Sequence, residues 1–144
     1  MIPDHVTLVE VGPRDGLQNQ SKVLTVRERV LLISALIDAG VKQIEAGAFV
    51  SPKAVPAMAD TDQVLAAVPR KPDTRLQVLV PNLKGLEAAL PFQPDEIVVF
   101  TAASEAFTQK NINCSIAESI ERFRPVAEAA KANKIRLRAA VSCA

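Results

Sequence analysis

The sequence predicts a parallel α/β fold, and three observations lead there. Short apolar runs of strand length alternate with longer amphipathic stretches, the mark of repeated βα units. Capping residues stand at the heads of those stretches, where helix N-termini need acceptors for their free N–H groups. The residues immediately after the apolar runs are polar, as they are where a parallel sheet gathers its ligands. With 49% of the 144 residues hydrophobic and 23% charged, the composition is that of a folded domain rather than a disordered segment.

About five strands and four helices are predicted in chain order. Val6 to Val11 reads as the first strand, stopped by Gly12-Pro13. A helix follows over Val26 to Ala39: Thr25 and Glu28 form a capping box, Val30, Ile33 and Ile37 share a face, and Gly40 suits the left-handed position past the end. Gln43 to Phe49 is the second strand. After a proline-rich loop, Asp60 and Gln63 cap a short helix ending near Val68, and Leu76 to Val80 is the third strand, stopped by Pro81. Asn82 caps a helix over Leu83 to Leu90, and Glu96 to Ala102, with its β-branched centre Ile97-Val98-Val99, is the fourth strand. The last helix opens on the capping box Ser115 and Glu118, buries Ile116, Ile120, Phe123 and Ala127, is kinked by Pro125 and closes at Asn133. Arg136 to Ser142 is the fifth strand.

Several function classes are excluded at this level. Lys and Arg number 17 against 16 Asp and Glu, so no broad field attracts nucleic acid or an anionic membrane, and an anionic ligand must be held by local groups. Five Phe with no Trp or Tyr give no stacking platform for single-stranded nucleic acid. No apolar run reaches the roughly 18 residues of a membrane span, and no basic leader with a cleavage site precedes the first apolar segment. Cys114 and Cys143 are far apart and belong to no Cys-x-x-Cys pair, which argues against zinc or a disulfide framework and for a reducing compartment. Both read as small apolar packing residues, and His5, ahead of the first strand, reads as exposed.

No repeat, low-complexity stretch or linker divides the chain, so residues 1–144 are expected to form one unit. Local pattern leaves two architectures open, a complete doubly wound sheet or a piece of a closed barrel. No Gly-x-Gly-x-x-Gly or Gly-x4-Gly-Lys-Ser/Thr follows any strand, so the nucleotide-binding form of the open sheet has no support.

The polar groups after the strands are Arg14-Asp15-Gly16-Leu17-Gln18-Asn19, then Ser51-Pro52-Lys53 behind a strand carrying Glu45, then Asn82, then Ser104-Glu105 with Lys110-Asn111-Ile112-Asn113 beyond it. Arg138 and Ser142 lie on the last strand. The run Val9-Glu10-Val11-Gly12-Pro13-Arg14-Asp15-Gly16-Leu17-Gln18-Asn19 resembles the opening motif of the metal-dependent lyase and synthase barrels, which include hydroxymethylglutaryl-CoA lyase, isopropylmalate synthase and homocitrate synthase. Ile44-Glu45-Ala46, Phe49-Val50-Ser51-Pro52-Lys53, Pro81-Asn82-Leu83-Lys84-Gly85, Ala102-Ala103-Ser104-Glu105 and Lys110-Asn111-Ile112-Asn113-Cys114-Ser115-Ile116 narrow the resemblance to hydroxymethylglutaryl-CoA lyase, over essentially the whole chain.

The resemblance implies a parallel (β/α) barrel of TIM type. A complete one takes about 250 residues, so residues 1–144 are expected to be a partial (β/α)8 lyase domain, truncated at the fifth strand. It implies cleavage of 3-hydroxy-3-methylglutaryl-CoA to acetyl-CoA and acetoacetate with a divalent cation, Mg2+ or Mn2+. Asp15 is implied as metal ligand, Arg14 and Glu45 as catalytic, and Arg14, Gln18, Lys110, Asn111 and Arg138 as substrate-binding. The expected partners are the acyl-CoA substrate and other copies of the chain, met through exposed barrel edges, without nucleic acid or membrane; the expected compartment is the cytoplasm, or the mitochondrial matrix for a processed homologue.

Taken singly, each of these residues has a plainer reading. An Asp between Pro-Arg and Gly is most often a turn residue, and Lys110-Asn111 alone would be solvated loop. The matching runs around Arg14 and Asp15 decide for the site. The sequence also departs from the family. Family members complete the metal site with a late His-x-His and an asparagine, and carry a cysteine in a late glycine-rich loop; none is present, and the single histidine is His5. Ala48 stands where serine is expected, and Ala139-Ala140 where Gly-Tyr precedes Val-Ser-Cys. The isolated chain is therefore expected to be inactive, with the metal weakly held or absent. The alternatives are a non-catalytic half-barrel that self-associates or needs a complementary half, and a related Claisen-type acyl-CoA synthase.

Overall fold

The computed structural model describes residues 3–144. Its centre is a four-stranded parallel sheet of β1 (Gln43–Ala48), β2 (Arg75–Leu79), β3 (Glu96–Ala102) and β4 (Arg136–Ser142), with spatial order equal to chain order. Helix α1 (Val26–Asp38) precedes β1, and α2 (Thr61–Ala67), α3 (Leu83–Ala89) and the pair α4 (Glu105–Ile112) and α5 (Ile116–Ala132) connect the successive strands.

One apolar layer holds the sheet to its helices. Ile44 and Ala46 of β1, Leu76 and Val78 of β2, and Ile97 and Val99 of β3 meet Ile33 and Ile37 of α1, Val64 of α2, Leu86 of α3 and Val126 of α5 in a single buried cluster. Fully burying a side chain such as Ile33 or Leu86 stabilises by roughly 1.5–3 kcal/mol. A doubly wound sheet reverses its strand order and carries helices on both faces. Here the order never reverses and these helices share one face, which is the arrangement of a barrel wall; the choice left open by local pattern falls to the partial barrel.

The local signals explain the helix ends. The Thr25/Glu28 and Ser115/Glu118 capping boxes form reciprocally, and Asn82 Oδ1 accepts from Gly85 N at 3.0 Å. Gly40, at φ +89°, ends α1 in the left-handed region. Asp60 stands at the N-cap of α2 with φ 55°, but its side chain makes no capping bond, contrary to expectation.

Four other expectations are corrected. Val6 to Val11 is not a strand: it makes one bridge, Glu10 to Ile44, through Glu10 N to Gln43 O and Glu45 N to Glu10 O, each 2.9 Å. Its alternation meets no covering layer, and Val6 and Leu8 stand 76% and 82% exposed. The stretch after β3, read as loop, contains α4, capped by Ser104 Oγ on Phe107 N and fastened to β3 by the edge-on contact of Phe107 with Phe100. In α5, which contains Pro125, the fully buried residues are Ser119, Val126 and Ala130, and Ile120, expected inside, is 55% exposed. Cys114 is buried as expected, whereas Cys143 is exposed at φ 58°. His5 is exposed, as read from its place ahead of the barrel.

Candidate active site

The sheet's second face is polar toward the amino ends of its strands, with Leu79 and Val98 further along. Side chains alternate across a strand, so the residues between those of the apolar layer, Gln43 and Glu45, Gln77, Glu96, and Arg136 and Arg138, line the inner side of the wall. Pairing places four of them in one transverse row, Glu45 beside Gln77, Gln77 beside Glu96 and Glu96 beside Arg136. Arg138, two residues further along β4, lies diagonally across the row. It donates Nε to Glu96 Oε1 at 3.0 Å, and Nη2 to both Glu45 Oε2 at 3.0 Å and Gln77 Oε1 at 2.8 Å.

Arg14 reaches the same row from the other side. After the Glu10 bridge the chain makes one π-helical turn over Gly12–Gly16, in which the Val11 carbonyl accepts from the N–H groups of Arg14, Asp15 and Gly16. Glu10 Oε1 accepts from Gly12 N at 2.6 Å and secures the entry to the turn. A Cβ on Gly12 would lie 2.7 Å from that oxygen, so a larger residue there would have to displace the Glu10 carboxylate from Gly12 N. The turn directs Arg14 onto β1, where Nε donates to Glu45 Oε1 at 2.5 Å, while Nη1 donates to Asp15 Oδ1 at 2.9 Å.

The charges form an alternating chain: Asp15, Arg14, Glu45, Arg138, Glu96, Arg136, the last joined to Glu96 at 3.7 Å. Its middle is dry. Glu45 and Gln77 are 1% exposed and Glu96 is 5%, so each carboxylate must be matched by a guanidinium to offset the loss of water. Asp15, at the outer end, is half exposed with Oδ2 uncommitted.

The structure thus brings Arg14, Asp15, Glu45 and Arg138 together. Gln18 is exposed just past the π-turn, and Lys110 and Asn111 are exposed on the last turn of α4, where Asn111 Nδ2 donates to Phe107 O; none of the three bonds to the charged row. Gln77 and Glu96 complete the constellation and were not singled out from sequence. The available signal was a Gln inside an apolar strand of a parallel sheet, where both faces are usually apolar. A basin of about 860 Å3 opens over the inner face toward the amino ends of the strands, bordered by Lys42, Arg75, Gln77, Glu96, Arg136 and Arg138.

A second charged group steadies the end of β1. Arg29, on the buried side of α1, donates Nη1 to Ala59 O at 2.6 Å and Nη2 to Thr61 Oγ1 at 3.0 Å, and that hydroxyl donates to Met58 O. Burial pushes the guanidinium pKa down, with Asp60 opposing. A Cβ on Gly47 would lie 2.6 Å from Thr61 Oγ1 and 2.9 Å from Arg29 Nη2, so the bulge between Glu45 and Gly47 fits around this contact.

Residues 5–144 match the profile of the HMGL-like family. The chain belongs to that family. A lyase of Pseudomonas aeruginosa named for 3-hydroxy-3-isohexenylglutaryl-CoA and hydroxymethylglutaryl-CoA is 51% identical over 99% of the chain and 47% of its own length. The mitochondrial hydroxymethylglutaryl-CoA lyase of Homo sapiens is 49% identical over 99% of the chain and 44% of its own length. The crystal structure of hydroxymethylglutaryl-CoA lyase from Pseudomonas aeruginosa superposes with a TM-score of 0.94 at 52% identity, covering 98% of the chain and 47% of that structure. The chain therefore spans about half the length of the curated relatives it matches. The family depends on a divalent metal. Asp15 offers a hard, exposed oxygen suited to such an ion, but among the described residues no three His, Cys, Asp or Glu side chains converge on one point.

Proposed function

We propose that the chain supplies the Arg14 half of a hydroxymethylglutaryl-CoA lyase site, in a domain that the 144 residues represent in part. The observation that carries this reading is the double anchoring of Arg14, by Glu45 of β1 inside and Asp15 outside, beside a parallel barrel wall.

Cleavage of 3-hydroxy-3-methylglutaryl-CoA removes the proton of the tertiary hydroxyl, breaks the bond between that carbon and the thioester's α-carbon, and leaves acetoacetate with the enolate of acetyl-CoA. The enolate takes up a proton to become acetyl-CoA. Negative charge therefore gathers on the thioester oxygen, where preorganised donors lower the barrier most. Arg14 has five N–H groups; one is engaged by Glu45 and one by Asp15, and the other three are left for that oxygen. Both oxygens of Glu45 are taken by arginines, so it acts through Arg14 by fixing its plane. Arg138, with three donors engaged, stands behind Glu45. Gln18, Lys110 and Asn111 are assigned to the substrate's outer portion. Asp15 would hold one side of a Mg2+ or Mn2+ ion, and such an ion supplies polarisation of the hydroxyl and carboxylate oxygens when bound. One protein carboxylate holds such a cation weakly, so the isolated chain is assigned no turnover.

Two assays test the reading. The 144-residue chain incubated with Mg2+ and substrate should release no acetoacetate above background, and turnover would overturn the assignment of inactivity. A chimera joining this chain to the remaining half of the Pseudomonas aeruginosa lyase should be active, and Arg14→Met should lower its kcat by about 10²–10³, the loss typical of one oxyanion donor. A folded chimera without activity, or one indifferent to Arg14, would sink the lyase reading.

A second reading concerns association. Edge strand β4 turns Leu137 and Val141, 39% and 53% exposed, away from the charged row, and pairs only with β3 among the described residues. We infer that a second copy covers this apolar edge when the chain is alone in solution.

A further inference from the structure

We infer that Glu96 is a positioning residue for Arg14, acting at a distance through Arg138 and Glu45. The inference deepens the proposed site by adding a residue that never meets the substrate.

Without Glu96, no acceptor on the neighbouring strand would fix the direction of Arg138. The strand register sets Arg138 beside Val98, not beside any acceptor, so its contacts to the row depend on where its own side chain folds. Glu96 lies two residues back on the neighbouring strand and takes Nε, the donor nearest the backbone end of the guanidinium. A planar guanidinium held at Nε has its fork fixed in direction. With Nε on Glu96, Nη2 falls between Glu45 Oε2 and Gln77 Oε1 and donates to both. Glu45 is then held at Oε2 from β4 and presents Oε1 to Arg14 Nε.

Each link is charge-assisted and the interior links are dry, so alternative partners are few. Glu96 is only 5% exposed, at the border of the basin, and its carboxylate is shared with Arg136. Loss of its charge leaves Arg138 with only Glu45 as a carboxylate partner. The guanidinium then turns toward Glu45 or out to solvent, since its side chain is already 35% exposed. Either movement changes the hold on Oε2 and with it the plane in which Oε1 meets Arg14. Gln77, the amide acceptor between the two carboxylates, takes one Arg138 donor and is itself tied to Gln43 through Nε2 at 2.8 Å, so it keeps the middle of the row in place without adding charge.

The test is hydrogen exchange at the arginine Nε–H groups of the 15N-labelled 144-residue chain, read by NMR, with the Arg14 and Arg138 signals identified by their loss in Arg14→Met and Arg138→Met. In the unaltered chain both should exchange slowly. Glu96→Gln keeps the volume and one acceptor oxygen. It should speed exchange at Arg138 Nε by about tenfold or more, as loss of a charge-assisted hydrogen bond does, and speed Arg14 Nε several-fold as well. Backbone amides of β1 to β3 should stay protected, and Glu96→Asp should restore part of the protection at both arginines. Release of Arg138 with Arg14 unchanged would overturn the inference, because the coupling through Glu45 would then be absent. Should Glu96→Gln fail to fold, Arg138→Lys tests the same link: an ammonium cannot engage Glu96, Glu45 and Gln77 from one rigid plane, so Arg14 Nε should again lose protection, and unchanged protection would refute the relay. The readout needs no turnover, so failure of the lyase reading and failure of the relay are separate results.

Discussion

Replacing Glu45 by Gln isolates the charge at the centre of the row. The substitution keeps the shape and opens no cavity, so its effect is electrostatic. Two charge-assisted hydrogen bonds end on this side chain, one from Arg14 at 2.5 Å and one from Arg138 at 3.0 Å. At about 1.5–3 kcal/mol each, their complete loss would cost roughly 3–6 kcal/mol. Two features reduce the figure. The arginine side chains are 15% and 35% exposed, so water reaches both, and each keeps a second carboxylate, Asp15 or Glu96. One feature works the other way: the new amide nitrogen faces a guanidinium, donor against donor. The expected loss is about 3 kcal/mol, at the low end for breaking a buried pair. With neither Trp nor Tyr in the chain, urea unfolding is best followed by far-UV circular dichroism. For an m-value of about 2 kcal/mol/M the midpoint should fall by about 1.5 M. Arg138→Met in the Glu45→Gln background should cost less than the two single losses added, because the unmatched guanidinium is gone. A Glu45→Gln midpoint within about 0.25 M of the parent, about 0.5 kcal/mol and the range of an ordinary surface change, would refute the claim that this carboxylate holds the row together.

Acid should weaken the start of α1. The Thr25 backbone N–H, the Lys22 ammonium and the Thr25 hydroxyl draw the Glu28 carboxyl from 4.5 down to about 2. A carboxyl depressed in the folded state contributes stability above its unfolded pKa and loses that contribution as pH falls through the folded one. The Tm difference between pH 7 and pH 2.5 should therefore be smaller for Glu28→Gln than for the parent, and an equal difference would remove Glu28 from the acid response. At the other end of the wall, the exposed Leu137 and Val141 should drive association at high concentration, and Leu137→Lys should reduce it. A parent chain that sediments as a clean monomer at millimolar concentration would rule that reading out.

The parts of the fold legible in the sequence are those with local causes. Both capping boxes, the Asn82 cap and the Gly40 turn form where the sequence places them, because each needs only residues within four positions of one another. The failures are nonlocal. Val6 to Val11 alternates like a strand, but alternation states a preference and not a partner, and only Glu10 finds one. Helix α4 escaped because Thr108 is its one buried residue, so no apolar stripe announces it. Helical spacing from Ile116 puts Ile120 inward, whereas the helix buries Ser119, whose hydroxyl meets Thr101 of β3 at 2.7 Å. That choice is made by a hydrogen bond to another element, which helical periodicity cannot express.

The site divides along the same line. Arg14, Asp15, Glu45 and Arg138 could be named from motifs, but Gln77 and Glu96 become part of the site only through strand register, which sets four residues far apart in sequence into one row. Register also explains why so polar a face is compatible with a stable wall. A slip of β3 by one residue would carry Glu96 into the layer occupied by Ile97 and Val99, and turn Ile97 toward Arg138. Such a slip would leave a carboxylate among hydrocarbon and a guanidinium without its partner, each a loss of several kcal/mol. The apolar layer and the charged row therefore select the same pairing from opposite faces of the sheet. The alignment that packs Ile97 and Val99 against α5 is the one that delivers Glu96 to Arg138, and through Glu45 sets the plane of Arg14.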